Sequence, residues 1–223
     1  MRITKLIISK YDKGGVILSD LNLALIVLVD PMEAFPMFKL KREKFSYLPS
    51  IILFALLVLA RIASIYLVHY PLALLEPRNT NLVLEIVKML IPILTWVVSC
   101  YAITSILNGE TLFQEIFMAA AYSMLPYIIL IVPISYFSKI LTSLEARLYY
   151  TLISIVWLWV IILFFISIQS MNNYTAGETL GICLLSIIGV FLIWILFGLF
   201  YSLSKHLTEF IADIINEIKF IFS

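Results

Sequence analysis

The segment GETLFQEIFMAAAYSMLPYIILIVPISYFSKILTSLE, Gly109 to Glu145, decides the fold. From Phe113 to Phe137 it is apolar for about 25 residues, enough to cross a hydrocarbon core ~30 Å thick. Pro126 and Pro133 each remove a backbone donor, which frees the carbonyls of Tyr122 and Ile129 from helical pairing. The two carbonyls stand close to two helical turns apart, so they are expected on one face. In lipid such groups need a partner, so that face is expected to meet other helices or a wet cavity. Ala119, Ala120, Ala121 and Ser123 leave room there for a neighbouring backbone. The segment reads as the central helix of a membrane bundle. Its prolines either bend it for packing or mark a gate or site.

Composition agrees. Of 223 residues, 63% are apolar and 13% charged, with mean hydropathy +1.08. A soluble domain has about half and a quarter. The lipid bilayer is therefore the first partner. A net charge of +1, with no basic run interleaved by aromatics, argues against nucleic acid. The first fifteen residues lack the apolar core and small-residue cleavage site of a signal peptide.

Outward from the centre, four more spans are expected, at about Leu48–Val68, Leu84–Leu107, Leu148–Ile168 and Leu180–Ser204. The fold class is all-α: a polytopic bundle of five transmembrane helices. The chain divides into an interfacial N-terminal segment (1–47), a five-span domain (48–204) and an amphipathic C-terminal helix (205–223). Thr111 with Gln114, Thr142 with Glu145 and Thr175 with Glu178 each have capping-box spacing at a span entrance. Capping explains these polar side chains without a catalytic role.

Val16 to Val29 is apolar apart from its short polar residues, among them Asp20 and Asn22, and reaches only ~21 Å. It is either an interfacial helix or a short sixth span, ended by Asp30-Pro31. DPMEAF then leads into the basic run KLKREK, which can attract anionic headgroups or simply set topology. Eight Lys/Arg precede the first span, against five on the opposite side of a five-span chain, which favours a cytoplasmic N-terminus.

Arg61 falls inside the first span and Glu85 near the start of the second. An antiparallel hairpin brings both toward one membrane face. An Arg61–Glu85 ion pair and snorkelling of Arg61 to the headgroups are equal alternatives, ahead of an ion or substrate contact. The four tryptophans, Trp96, Trp157, Trp159 and Trp194, lie within spans and read as packing residues, though Trp157 and Trp159 point to different sides. The tail places Leu207, Phe210, Ile211 and Ile214 on one face and Glu209, Asp213 and Glu217 on the other. That acidic polar face suits a helix lying across the bundle or against a partner. Interfacial anchoring is the alternative.

His69, His206, Cys100 and Cys183 match no metal spacing. No phosphate loop, GxSxG or HExxH motif occurs. No catalytic residue, metal or cofactor is therefore assigned.

The order of elements resembles the Yip domain (Ypt-interacting protein) family of five-span membrane proteins, in its bacterial branch. The resemblance rests on Asp30-Pro31 through Phe35, the turn at Gly109, AYSMLP from Ala121 to Pro126, and ILTSLE from Ile140 to Glu145. The Trp157 span and YTAGETL from Tyr174 to Leu180 complete it. It covers roughly residues 21–219. Tyr122, Ser123 and Pro126 match a Gly-Tyr-Ser-x-x-Pro-like element, with Ala121 replacing the glycine. The Asp-Leu-Tyr-Gly-Pro element of eukaryotic members, which bind prenylated small GTPases, is missing. The resemblance implies a bacterial cell-membrane protein without catalytic activity, with its N-terminus in the cytoplasm. Some bacterial relatives are associated with sugar-uptake ABC transporters. The expected function is binding or supporting another membrane protein, or self-association. Asp30, Pro31, Phe35, Glu209, Asp213 and Glu217 are the candidate partner surface. The alternative is a small transporter or channel whose path follows the third span past Tyr122, Ser123, Pro126 and Pro133.

Overall fold

The computed structural model describes residues 16–40, 46–68, 72, 80–107 and 109–221. The basic residues of 1–15 and 41–44, His69, Arg78 and Asn108 lie outside them. Among the described residues, nine α-helices follow one another: α1 Val16–Val29, α2 Pro31–Ala34, α3 Met37–Leu40, α4 Leu48–Leu67, α5 Leu82–Ile106, α6 Phe113–Ser123, α7 Leu125–Phe137, α8 Ala146–Asn172 and α9 Ala176–Ile221. Five stretches among the described residues are long and apolar enough to cross a membrane: α4, α5, the α6–α7 pair, α8 and α9. The chain is an all-α polytopic membrane bundle. The 14-residue α1 is not among its spans.

The α6–α7 pair sits at the centre, in contact with α4, α5, α8 and α1. Two thirds of its apolar window is buried (67%), against 11% for α9. Its backbone breaks at Met124, whose N–H reaches back to the Ala121 carbonyl at 3.3 Å. Pro126 then occupies the first turn of α7, where a missing N–H costs least. The break interrupts the single helix on which the carbonyls of Tyr122 and Ile129 are expected to share a face. Tyr122 is buried, whereas Ile129 and Pro133 lie on the outside. A seven-residue spacing carries facing only along an unbroken helix.

Short side chains let the helices approach. Ala119, Ala120, Ala121 and Ser123 are buried, and Ser123 Oγ donates to the Ala119 carbonyl at 2.8 Å. Ser135 Oγ on α7 donates to Ser64 Oγ on α4, also at 2.8 Å. Between α5 and α9, Ser99 Oγ donates to the Ser186 carbonyl at 2.7 Å. A methyl group at Gly189 would collide with that same Ser99 hydroxyl, so glycine is what permits this docking.

The capping boxes come out in two registers. Thr142 with Glu145, and Thr175 with Glu178, form as expected, each backbone N–H donating to the carboxylate three residues on (3.0 and 2.8 Å). At α6 the box shifts by one residue: Leu112 N–H donates to Glu115 at 2.9 Å, in place of Thr111 and Gln114. Thr111 is drawn away by Asn172 at the end of α8, whose side-chain oxygen accepts from Thr111 N–H and Oγ1 and from Glu110 N–H. Asn173 closes α8 in the left-handed region at φ 56°.

The N-terminal helices fold onto the bundle. Ala34, Phe35 and Phe38 are buried with Met118, Ala119, Tyr122 and Met171, and Lys39 pairs with Glu110 at 2.7 Å. At the other terminus, α9 continues without interruption from the fifth span through the amphipathic tail. Its 46 residues extend ~69 Å. The expected separate C-terminal helix is thus the distal part of α9, and it does not lie across the bundle. No Gly or Pro falls within 200–210 to break the ladder.

Candidate functional site

Arg61, near the end of α4, meets Glu85, in the first turn of α5. Arg61 Nη2 donates to Glu85 Oε2 at 2.7 Å. The antiparallel hairpin therefore makes the pair that competes with snorkelling. A third group joins it. Lys88, one turn along α5, donates to Glu85 Oε1 at 3.1 Å. The Glu85 side chain is only 7% exposed, while Arg61 and Lys88 are 30% and 61% exposed. One enclosed carboxylate therefore holds two cations that both retain an outward side.

These three groups line one wall of a chamber of about 540 Å³. Ser64 and Ile65 follow Arg61 on the same face of α4, and Met89 follows Glu85 on α5. From α7 come Tyr127 and Ile131. From α8 come Tyr149, Ile153 and Trp157, at four-residue steps, with Tyr150 beside them. Tyr127 stacks obliquely on Trp157 with centroids 5.2 Å apart, and Tyr149 meets Tyr150 edge-on at 5.4 Å. Tyr150 Oη approaches the Leu72 carbonyl at 3.5 Å. The wall is mostly apolar with a few convergent polar groups, the usual make-up of a small-molecule pocket.

Sequence reasoning had Arg61 and Glu85 but missed Lys88 and the tyrosines. The Tyr149–Ile153–Trp157 spacing was the available signal, since steps of four keep residues on one helical face. The residues singled out on the third span lie elsewhere. Tyr122 packs on Phe38 at 5.1 Å between centroids, Ser123 bonds its own helix, Pro126 is buried and Pro133 faces outward. The expected path along this helix is not assembled by them.

The expected partner surface divides. Phe35 is fully buried in the chain's own core, so it is not a docking residue. The enclosing N-terminal helices supply the reason: α2 turns the ring inward against α8 and the central span. Asp30 caps α2, accepting from Glu33 N–H at 3.4 Å, and Pro31 fills its first position. Glu209 and Asp213 are exposed on distal α9, while the side chain of Glu217 lies outside the described residues. Of the tryptophans, Trp96 packs on Phe164 and Trp157 lines the chamber. Trp159 and Trp194 look outward, the latter with its Nε1 donating to Thr95 Oγ1 at 3.3 Å. Among the described residues, no three His, Cys, Asp or Glu side chains cluster as a metal site.

The fold and chamber define an integral membrane helix bundle with a charged recess toward one end. In comparisons with known proteins, no family model, curated protein or solved structure matches the chain.

Proposed function

We propose that this chain is a non-enzymatic membrane protein that binds or supports another membrane protein. The observation that carries this reading is α9. It touches the bundle mainly along α5 and then continues with Leu207, Phe210, Ile211 and Ile214 exposed. Lipid can cover the membrane-crossing part of such a helix, but a 46-residue helix is about twice what a bilayer needs. The distal apolar face calls for a protein neighbour, either a second copy or a different membrane protein such as an ABC-type transporter. The resemblance of its element order to the Yip family points to the same reading in a bacterial cell membrane, and the basic N-terminal side supports a cytoplasmic N-terminus.

A transporter reading draws support from the chamber. Against it stands the packed centre. The chamber gives way to the buried Ala119–Leu125 segment, and the cavity at the other end, lined by Cys100, Thr111 and Asn172, holds only about 10 Å³. That is room for one water.

Two measurements separate the readings. Purification in mild detergent with mass spectrometry is expected to give a stoichiometric partner or a dimer, lost on Phe210→Lys with Ile214→Lys. Liposomes holding the purified chain alone are expected to show no flux. A monomer that moves solute overturns the binding reading in favour of transport.

A further inference from the structure

Among the described residues, two cations and one carboxylate line the chamber. Glu85 is enclosed and both its oxygens are engaged, one by Arg61 and one by Lys88. The guanidinium carries five N–H donors and the ammonium three, so most of their donors are not spent on Glu85. The Tyr127, Tyr149 and Tyr150 side chains reach the same space. The described lining thus carries one positive unit in excess, set within two apolar spans. A positive charge inside a span is costly without an anionic neighbour.

Depth and size narrow the choice. Arg61 lies six residues before the end of α4, ~9 Å along the helix, and Glu85 lies ~5 Å from the start of α5. The charged wall therefore stands near the level where acyl chains meet headgroups. The apolar wall of Ile131, Ile153 and Trp157 continues from it toward the bundle interior. About 540 Å³ is far more than a bare ion fills and falls in the range of small-molecule sites.

We propose that this chamber binds a single anionic group of phosphate type, seated between Arg61, Lys88 and the tyrosine hydroxyls. Two sources supply that chemistry: the headgroup of an anionic lipid, or a free anion entering from the aqueous side. The inference is independent of the partner reading, since none of the described residues lining the chamber comes from α9. Lys88 is the residue that tests it. It is largely exposed and its removal leaves the Arg61–Glu85 bond in place, so Lys88→Gln is expected to fold.

The experiment uses the full chain in detergent, stripped of lipid and titrated separately with three probes: phosphatidylglycerol, phosphatidylcholine of the same acyl chains, and inorganic phosphate. Native mass spectrometry reads lipid occupancy and thermal unfolding reads each probe's protection. Phosphatidylglycerol is expected to bind about tenfold tighter than phosphatidylcholine, a difference that Lys88→Gln removes and Lys88→Arg restores. That result assigns a lipid headgroup. Protection by inorganic phosphate that Lys88→Gln abolishes, with the two lipids equal, assigns a water-borne anion. Equal lipids with no phosphate effect overturn the proposal, as does Lys88→Gln retaining the wild-type preference. If Lys88→Gln fails to fold, Lys88→Met serves with the same expected losses, and the wild-type comparison of the three probes decides alone if neither folds.

Discussion

The central span and the last helix are both long and apolar enough to cross a membrane, yet they live in different surroundings. The α6–α7 pair is walled by α4, α5 and α8, with alanines at its contacts and polar side chains bonded to backbone or to neighbouring serines. The last helix meets the bundle along its first half, from Thr179 through Ser186 and Gly189 to Trp194, then leaves it. Lipid tails are as apolar as leucine, so hydrophobicity cannot tell these cases apart. Packing can, because the close approach of a protein helix demands small residues at the contact and lipid tails do not.

That contrast can be broken at several points. The largest effect is expected at the ion pair, where the buried side depends on specific partners. Glu85→Leu, which strands Arg61, should lower stability by about 3 kcal/mol, Arg61→Leu by less because Lys88 still holds the carboxylate, and the double variant should recover much of the loss. Folded yield in detergent measures this. Singles tolerated as well as the double would make the pair incidental.

Next comes a matched pair of truncations. Leu163→Ala, at a residue 1% exposed, should cost about 2 kcal/mol, the low end for buried leucine because lipid rather than water is the alternative surroundings. Leu196→Ala, at a residue 58% exposed, should stay within about 0.5 kcal/mol. Reversible unfolding of both variants in the same micelles decides. Equal costs would show that α9 is covered by protein, which would sharpen the partner reading toward a second copy.

A smaller effect is expected from Ser135→Ala, which breaks the interhelical bond to Ser64. About 0.6 kcal/mol is typical of such bonds in a membrane bundle. A loss several times larger would mean that this hydroxyl pair also shapes the neighbouring chamber wall, which the anion titrations would register.

Much of the architecture was legible in the residues. Long apolar runs fixed five crossings, and the Thr–Glu spacings at 142–145 and 175–178 marked two helix entrances where the carboxylates do cap the backbone. The third box slipped because Asn172, sixty residues away, competes for Thr111. The buried Phe35 was misread as surface for a similar reason: its neighbours Met118 and Tyr122 are remote in the chain. Half of the chamber was readable, since Arg61 and Glu85 are conspicuous in apolar spans. The other half was not, since tyrosines are ordinary in any membrane helix.

By itself, then, the sequence determined that the backbone must hide within lipid-crossing helices, and it marked Arg61 and Glu85 as charges in need of company. Only the tertiary structure decided which apolar faces meet protein, that Lys88 shares the carboxylate, and that two tyrosine-bearing helices complete a recess around it. The reason is physical: backbone pairing and hydropathy are local to the chain, whereas a cavity exists only between helices that the chain brings together from far apart.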